Sequence, residues 1–156
     1  MNFVISTIRG KFPGVQGIDT DQAKGIILEN KDEKVMIIDT RRQDEFEVSR
    51  IPGAIHLDFK CSDQELNEVL ANVEDNTKII NYCSLGYRSA MMTQRISNQL
   101  DNIQVFNLEG SIFKWANEDK PLVNHRNEPT KNVHPFAYRF AIPTLSWSKW
   151  KWTKDE

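Results

Sequence analysis

The stretch Ile79-Ile80-Asn81-Tyr82-Cys83-Ser84-Leu85-Gly86-Tyr87-Arg88-Ser89-Ala90-Met91-Met92 leaves this chain few folds to choose from. A run rich in β-branched residues stops at Cys83, and a loop with one glycine follows. Apolar residues at helical spacing, Met92, Ile96 and Leu100, begin directly afterwards. The pattern predicts a strand, a tight loop and the first turn of a helix. Such a loop turns backbone N–H groups inward at the positive end of a helix dipole, which makes it a seat for an anion. The same field favours thiolate over thiol. Cys83, with Arg88 close by in sequence, is therefore expected to have a lowered pKa and to be nucleophilic.

The same alternation recurs along the chain. Residues 35–38 form a continuous apolar run, which suits a parallel strand buried on both faces. Residues 51–57 return as a strand opened by the turn Pro52-Gly53, residues 78–82 deliver Cys83, and residues 105–108 give a further strand. Between them lie helical signals. Asp19 with Gln22 reads as a cap before Ala23, Ile26 and Ile27, and residues 42–48 read as a short charged helix. Ser62 with Glu65 reads as a capping box before Leu66, Val69, Leu70 and Val73. Helices are also predicted over 89–100 and 111–117. Strands alternating with helices at this spacing imply an α/β domain with a mostly parallel sheet. Ligands of such sheets sit at the C-terminal strand ends, where Asp39 and Cys83 both fall. Residues 1–14, whose apolar positions have no clean period, are expected to be an N-terminal arm. Residues 15–123 form the domain and 124–156 a C-terminal extension.

Charge narrows the function. The formal net charge of −2 does not suggest a nucleic-acid binder, although from Arg126 onward there are six Lys/Arg against three Asp/Glu, so the tail is basic and the body acidic. No apolar run is long enough to span a membrane, and the opening Met1-Asn2-Phe3-Val4-Ile5 is too short for a signal peptide and lacks preceding basic residues. A soluble, cytoplasmic protein is expected, with Cys61 and Cys83 both as free thiols. His56, His125 and His134 are scattered without ligand spacing, so no metal site is expected.

Cys83-Ser84-Leu85-Gly86-Tyr87-Arg88-Ser89 resembles the active-site loop of rhodanese-like sulfurtransferases. Residues 35–41 followed by Glu45-Phe46 look like that family's strand ending in Asp-x-Arg and its Glu-Phe helix. Ile51-Pro52-Gly53-Ala54-Ile55-His56 looks like its Ile-Pro-Gly-Ala segment, and Leu108-Glu109-Gly110 with Trp115 is a fourth, weaker match. The resemblance covers roughly residues 15–122. It implies a three-layer domain with a mostly parallel five-stranded sheet and helices on both faces.

The function it implies is transfer of a sulfane sulfur, from thiosulfate or a persulfide, through a Cys83 persulfide to a thiophilic acceptor. That acceptor would be a thiol, cyanide or a protein partner, and no cofactor is needed. The backbone of Ser84, Leu85, Gly86, Tyr87, Arg88 and Ser89 would line the anion site. Asp39 and Arg41 would border it as supports, and Arg88 would face the anion or brace the loop. Two positions depart from the family pattern: Ser49-Arg50 stands where Gly-His is common, and Ser111 where a second glycine is. A cysteine phosphatase or arsenate reductase on the same scaffold is the enzymatic rival, but those place five residues between cysteine and arginine, whereas Cys83 and Arg88 are separated by four. A non-catalytic binding module is the third reading.

In the extension, Trp147-Ser148-Lys149-Trp150-Lys151-Trp152-Thr153-Lys154 interleaves three of the four tryptophans with lysines. Indoles and lysines suit a membrane surface or nucleic acid. The alternation over 136–142 instead suits docking of one apolar face onto the acidic body or onto a second copy as a homodimer, and burial of aromatic rings is the larger energy. Deleting residues 135–156 should then expose apolar surface and change solubility or elution volume in gel filtration. A truncated chain of unchanged size and stability that loses binding to liposomes or RNA shown by the full chain would reverse this expectation.

Overall fold

The computed structural model describes residues 1–135; the expectations placed on 136–142 and 147–154 lie outside the described residues. Its elements run α1 (Asn2–Lys11), β1 (Gly17–Ile18), α2 (Thr20–Lys24, continued by one π turn over Gly25–Glu29), β2 (Val35–Asp39), α3 (Gln43–Val48) and β3 (Ile55–His56). Then come α4 (Asp63–Leu70), β4 (Lys78–Tyr82), α5 (Tyr87–Ser97), β5 (Gln104–Leu108), α6 (Ser111–Asn117), and the hairpin β6 (Leu122–Val123) and β7 (Pro129–Thr130). The main sheet has the order β1-β5-β4-β2-β3, and every neighbouring pair in it is parallel.

Strand β4 sits in the middle, and Ile79, Ile80, Asn81 and Tyr82 are fully buried. Alternation along the strands then sorts side chains into two cores. Ile37, Ile80, Tyr82, Phe106 and Leu108 face one side, where Ala23 of α2 and Ile112 and Trp115 of α6 cover them. Ile38, Ile79 and Val105 face the other, under Leu66 and Leu70 of α4 and Met92 and Ile96 of α5. This is the three-layer arrangement that the family resemblance implied, built on the parallel sheet that the alternation of strands and helices implied. The hairpin extends the first core past residue 123, since Leu122 and Val133 are buried in it.

Helix starts follow the local code. Asp19 accepts from the N–H groups of Asp21 and Gln22, with Gln22 reaching back to Asp19, and Ser62 and Glu65 cap α4 reciprocally. The predicted strand over 51–57 needs correction: only Ile55–His56 pairs with β2. Pro52 has no N–H to give, and Gly53 has φ +81°, so 51–54 make a turn closed by Ala54 N–H on the Ile51 carbonyl at 3.0 Å. The arm expected over 1–14 contains the ten-residue helix α1.

Where β2 ends, Asp39 and Arg41 form an ion pair with no exposed side-chain surface. Asp39 accepts from Arg41 Nη2 at 2.6 Å, from Nε at 2.9 Å and from the Arg41 backbone N–H at 3.0 Å, and Arg41 Nη2 also donates to the Ser49 carbonyl at 2.6 Å. The pair ties the strand end to the end of α3. Removing one partner of a buried pair strands the other charge in a dry site, which costs about 3–5 kcal/mol. Asp39→Ala should lose stability of that order in urea unfolding; a loss below about 1 kcal/mol, the scale of an exposed pair, would contradict the bracing role.

Candidate active site

The site grows from the abrupt end of β4. Beyond Tyr82 the chain turns through Cys83, Ser84, Leu85 and Gly86 into α5, and Gly86 serves as N-cap with φ +117°. Only glycine takes that conformation without strain, and an added Cβ would meet Ile8 Cδ1 in ordinary contact at 3.4 Å. The turn brings the Gly86 N–H back onto Cys83 Sγ at 3.1 Å. Helix α6 holds the other side of the loop, because its N-terminal N–H groups lack partners inside the helix. Ile112 N–H donates to the Cys83 carbonyl at 3.1 Å and Phe113 N–H to the Ser84 carbonyl at 3.2 Å. Ser111, at φ +50°, accepts the Cys83 N–H on its hydroxyl at 3.1 Å and donates to the Leu108 carbonyl at 3.0 Å.

Cys83 is 2% exposed, and its sulfur has three kinds of neighbour. Burial pushes its pKa up; the positive charge of Arg88, the Ser89 hydroxyl, and the N–H groups of Ser89 and Gly86 pull it down, and the balance lies below the usual thiol value. Arg88 braces the loop. Its Nη1 and Nη2 form a fork onto Glu45 at 2.8 and 3.0 Å, and Nη2 also donates to Ser84 Oγ at 2.8 Å, while the Ser84 hydroxyl donates to Glu45 at 3.1 Å. Burial raises the Glu45 pKa, but the bond and charge of Arg88 outweigh that, so it stays below the usual carboxylate range.

The structure thus gathers Cys83, Ser84, Gly86, Arg88 and Ser89 in one buried cluster, with Leu85 half-buried and Tyr87, 41% exposed, at the rim. Asp39 and Arg41 engage one another and the Ser49 carbonyl. Tyr82 is fully buried and accepts the Ile51 N–H on its phenol oxygen at 3.1 Å, and burial drives the phenol's pKa up, so it packs rather than lining a mouth. Cys61 is half-buried on another surface, beside Arg95 and the loop before α4. Among the described residues no group of three or more His, Cys, Asp or Glu could hold a metal, and no helix is long and apolar enough to cross a membrane.

Several contributors escaped sequence reasoning. Glu45 was read only as part of a Glu-Phe pattern, and the hydrogen-bonding of Asn107 and Ser111 has no local signal. Helix α1 is the largest omission. Ile8 rests on Gly86, Phe12 meets Tyr87 edge to face at 5.3 Å, and Lys11 Nζ lies 5.0 Å from the centre of the Tyr87 ring. Arg9 forks onto Glu109 at 2.6 and 2.7 Å. The seam between α1, the loop and the end of β5 holds about 20 Å³, room for about one water.

The family model of the rhodanese-like domain matches residues 21–118. Over 105 residues the chain is 24% identical to the adenylyltransferase and sulfurtransferase UBA4 of Debaryomyces hansenii, a match that takes in 65% of this chain and 23% of that protein. Over 90 residues it is 26% identical to the putative sulfurtransferase YtwF of Bacillus subtilis, covering 58% of this chain and 82% of the relative. The crystal structure of a thiosulfate sulfurtransferase from Pseudomonas aeruginosa superposes with a TM-score of 0.65 at 20% identity, over 79% of this chain and 22% of that one, which is a likeness of fold. The match therefore spans about a quarter of the Debaryomyces hansenii relative's length.

The two thiols should titrate apart. Cys61 is held above the usual value, burial outweighing Arg95, whereas Cys83 is held below it. Alkylation followed residue by residue across pH should give a lower midpoint for Cys83 than for Cys61. Coincident or reversed midpoints would remove the electrostatic argument for Cys83.

Proposed function

The chain belongs to the rhodanese-like domain family, and from that premise we propose that Cys83 carries sulfane sulfur from a small donor to a thiophilic acceptor. The observation that carries the reading is the Gly86 N–H on Cys83 Sγ at 3.1 Å, inside a loop whose arginine is turned onto Glu45. A donor fixed at the sulfur stabilises negative charge in the thiolate that attacks and again in the thiolate that leaves when the acceptor takes the outer sulfur. The Cys83 thiolate attacks the outer sulfur of the donor. A sulfur–sulfur bond forms on Cys83, the donor's own bond to that sulfur breaks, and sulfite (from thiosulfate) or a thiolate (from a persulfide) leaves with the electron pair. Cyanide, a thiol or a protein acceptor then attacks the terminal sulfur, and the Cys83 thiolate is restored.

The geometry favours sulfur over phosphoryl chemistry on two counts. The loop is one residue shorter between cysteine and arginine than that of cysteine phosphatases on the same scaffold. In addition, the guanidinium fork that would clamp equatorial phosphoryl oxygens is occupied by a buried carboxylate. The names of the distant relatives point the same way. A donor, an acceptor and the cytoplasmic setting belong to this proposal and not to the fold.

Cys83→Ser should abolish transfer of sulfur to cyanide and the gain of one sulfur in intact mass, with circular dichroism unchanged, because it keeps size and removes the soft nucleophile. Wild-type protein should hydrolyse aryl phosphates negligibly. Comparable sulfur transfer by the serine variant, or Cys83-dependent phosphatase turnover in the wild type, would overturn the reading.

A further inference from the structure

Behind the loop stands one polar side chain to which sulfur transfer assigns no task. Asn107, near the end of β5, is 4% exposed, and its carboxamide touches two residues that face the sulfur. Its Nδ2 lies 3.0 Å from the Gly86 carbonyl and its Oδ1 lies 2.6 Å from Ser89 Oγ. A backbone carbonyl only accepts, so the NH2 must face Gly86 and the amide oxygen must face Ser89. That oxygen accepts too. The single hydroxyl proton of Ser89 therefore has two acceptors in reach, Asn107 Oδ1 at 2.6 Å and Cys83 Sγ at 3.5 Å, and the shorter contact draws it to Asn107. Ser111 Oγ, also 3.5 Å from Ser89 Oγ, supplies no substitute, because its own proton goes to the Leu108 carbonyl.

We propose that Asn107 is a positioning residue acting through Ser89: it holds the Ser89 hydroxyl proton while Cys83 is a thiol and yields it when the thiolate forms. In the thiol state the S–H donates to Ser89 Oγ, and Ser89 donates to Asn107. On ionisation the thiol proton leaves to solvent and the Ser89 O–H rotates onto the sulfur, which leaves Asn107 Oδ1 without that donor in a buried place. Losing a buried partner costs free energy, so Asn107 works against ionisation. A thiolate of higher pKa is also the stronger nucleophile, so Asn107 tempers the pull of Arg88 and keeps the sulfur reactive.

The charged groups around Cys83 are Arg88 of α5 with Glu45 of α3, the Asp39–Arg41 pair after β2, the Arg9–Glu109 pair between α1 and β5, and Lys11 against Tyr87. All of these are retained in every variant below.

The inference rests on Cys83 as the working thiol, but its readout is titration and not turnover, so a chain that transfers no sulfur still tests it. In a Cys61→Ser background, Asn107→Leu should lower the pH midpoint of iodoacetamide alkylation at Cys83 by about half a pH unit, since Ser89 is released to the thiolate. Added to Ser89→Ala, the same substitution should move the midpoint no further. An unchanged or raised midpoint for Asn107→Leu, or an equal shift with and without Ser89, would overturn the proposal in favour of a plain packing role. The protein with Asn107 intact offers a second reading should Asn107→Leu fail to fold. The infrared S–H band of Cys83 at low pH should be that of a hydrogen-bond donor and should move to higher frequency in Ser89→Ala, and a band indifferent to Ser89 would equally overturn it.

Discussion

The buried ion pair between Arg88 and Glu45 is the constraint on which the rest of the site depends. A guanidinium this close to the sulfur supplies the field that favours thiolate, yet burying it beside the loop is unfavourable unless its donors are matched. Glu45 matches them with a bidentate fork, Ser84 adds a hydroxyl between the two, and the Arg42 N–H at 3.1 Å satisfies the carboxylate further. The pair also crosslinks α3 to the start of α5, and with Ser84 it closes the loop around Cys83. Arg88 is thereby a source of charge and a brace at once, and its fork is spent on the protein.

Around that pair the loop is over-determined by backbone hydrogen bonds. The first N–H groups of α6 hold the carbonyls of Cys83 and Ser84, the Gly86 carbonyl takes both the Ala90 N–H and the Asn107 amide, and the Gly86 N–H is left for the sulfur. Two helix N-termini thus converge on one strand end, and their unsatisfied donors are used on the loop and on its anion. Ser111, placed where the family pattern has a second glycine, takes a positive φ and adds a hydroxyl that fixes the Cys83 N–H. The substitution that looked like a departure in sequence is accommodated as an additional tie.

Helix α1 lies outside the span matched by the family model and yet rests on its most characteristic loop. None of its own residues is buried, and it is attached by the Arg9–Glu109 fork and by the contacts of Ile8 and of Phe12, just past its end, with Gly86 and Tyr87. The fork joins a largely exposed Arg9 to a largely buried Glu109, so it shares the hold on the helix with the apolar contacts. Its weak periodicity in sequence and its light attachment share one cause: only a narrow stripe of it meets the domain.

What could be read from the chain alone was whatever local chemistry dictates. The continuous run at 35–38 announced a strand covered on both sides, the stretch 78–82 announced the strand that delivers Cys83, and the pairs Asp19/Gln22 and Ser62/Glu65 announced helix starts to the residue. The break at Cys83 followed by Gly86 announced the loop, because periodicity, capping and glycine freedom are properties of neighbours in sequence. The length of β3 was misjudged, since whether residues 51–54 pair with β2 depends on the turn at Gly53 and on the Tyr82 hydroxyl, 31 residues away. The partner of Arg88, the service of Asn107 to Gly86 and Ser89, and the docking of α1 were decided only by the tertiary structure. Each joins residues about 20 to 100 positions apart, and the free energy of such a contact comes from burial and hydrogen-bond matching that exist only after the sheet has assembled.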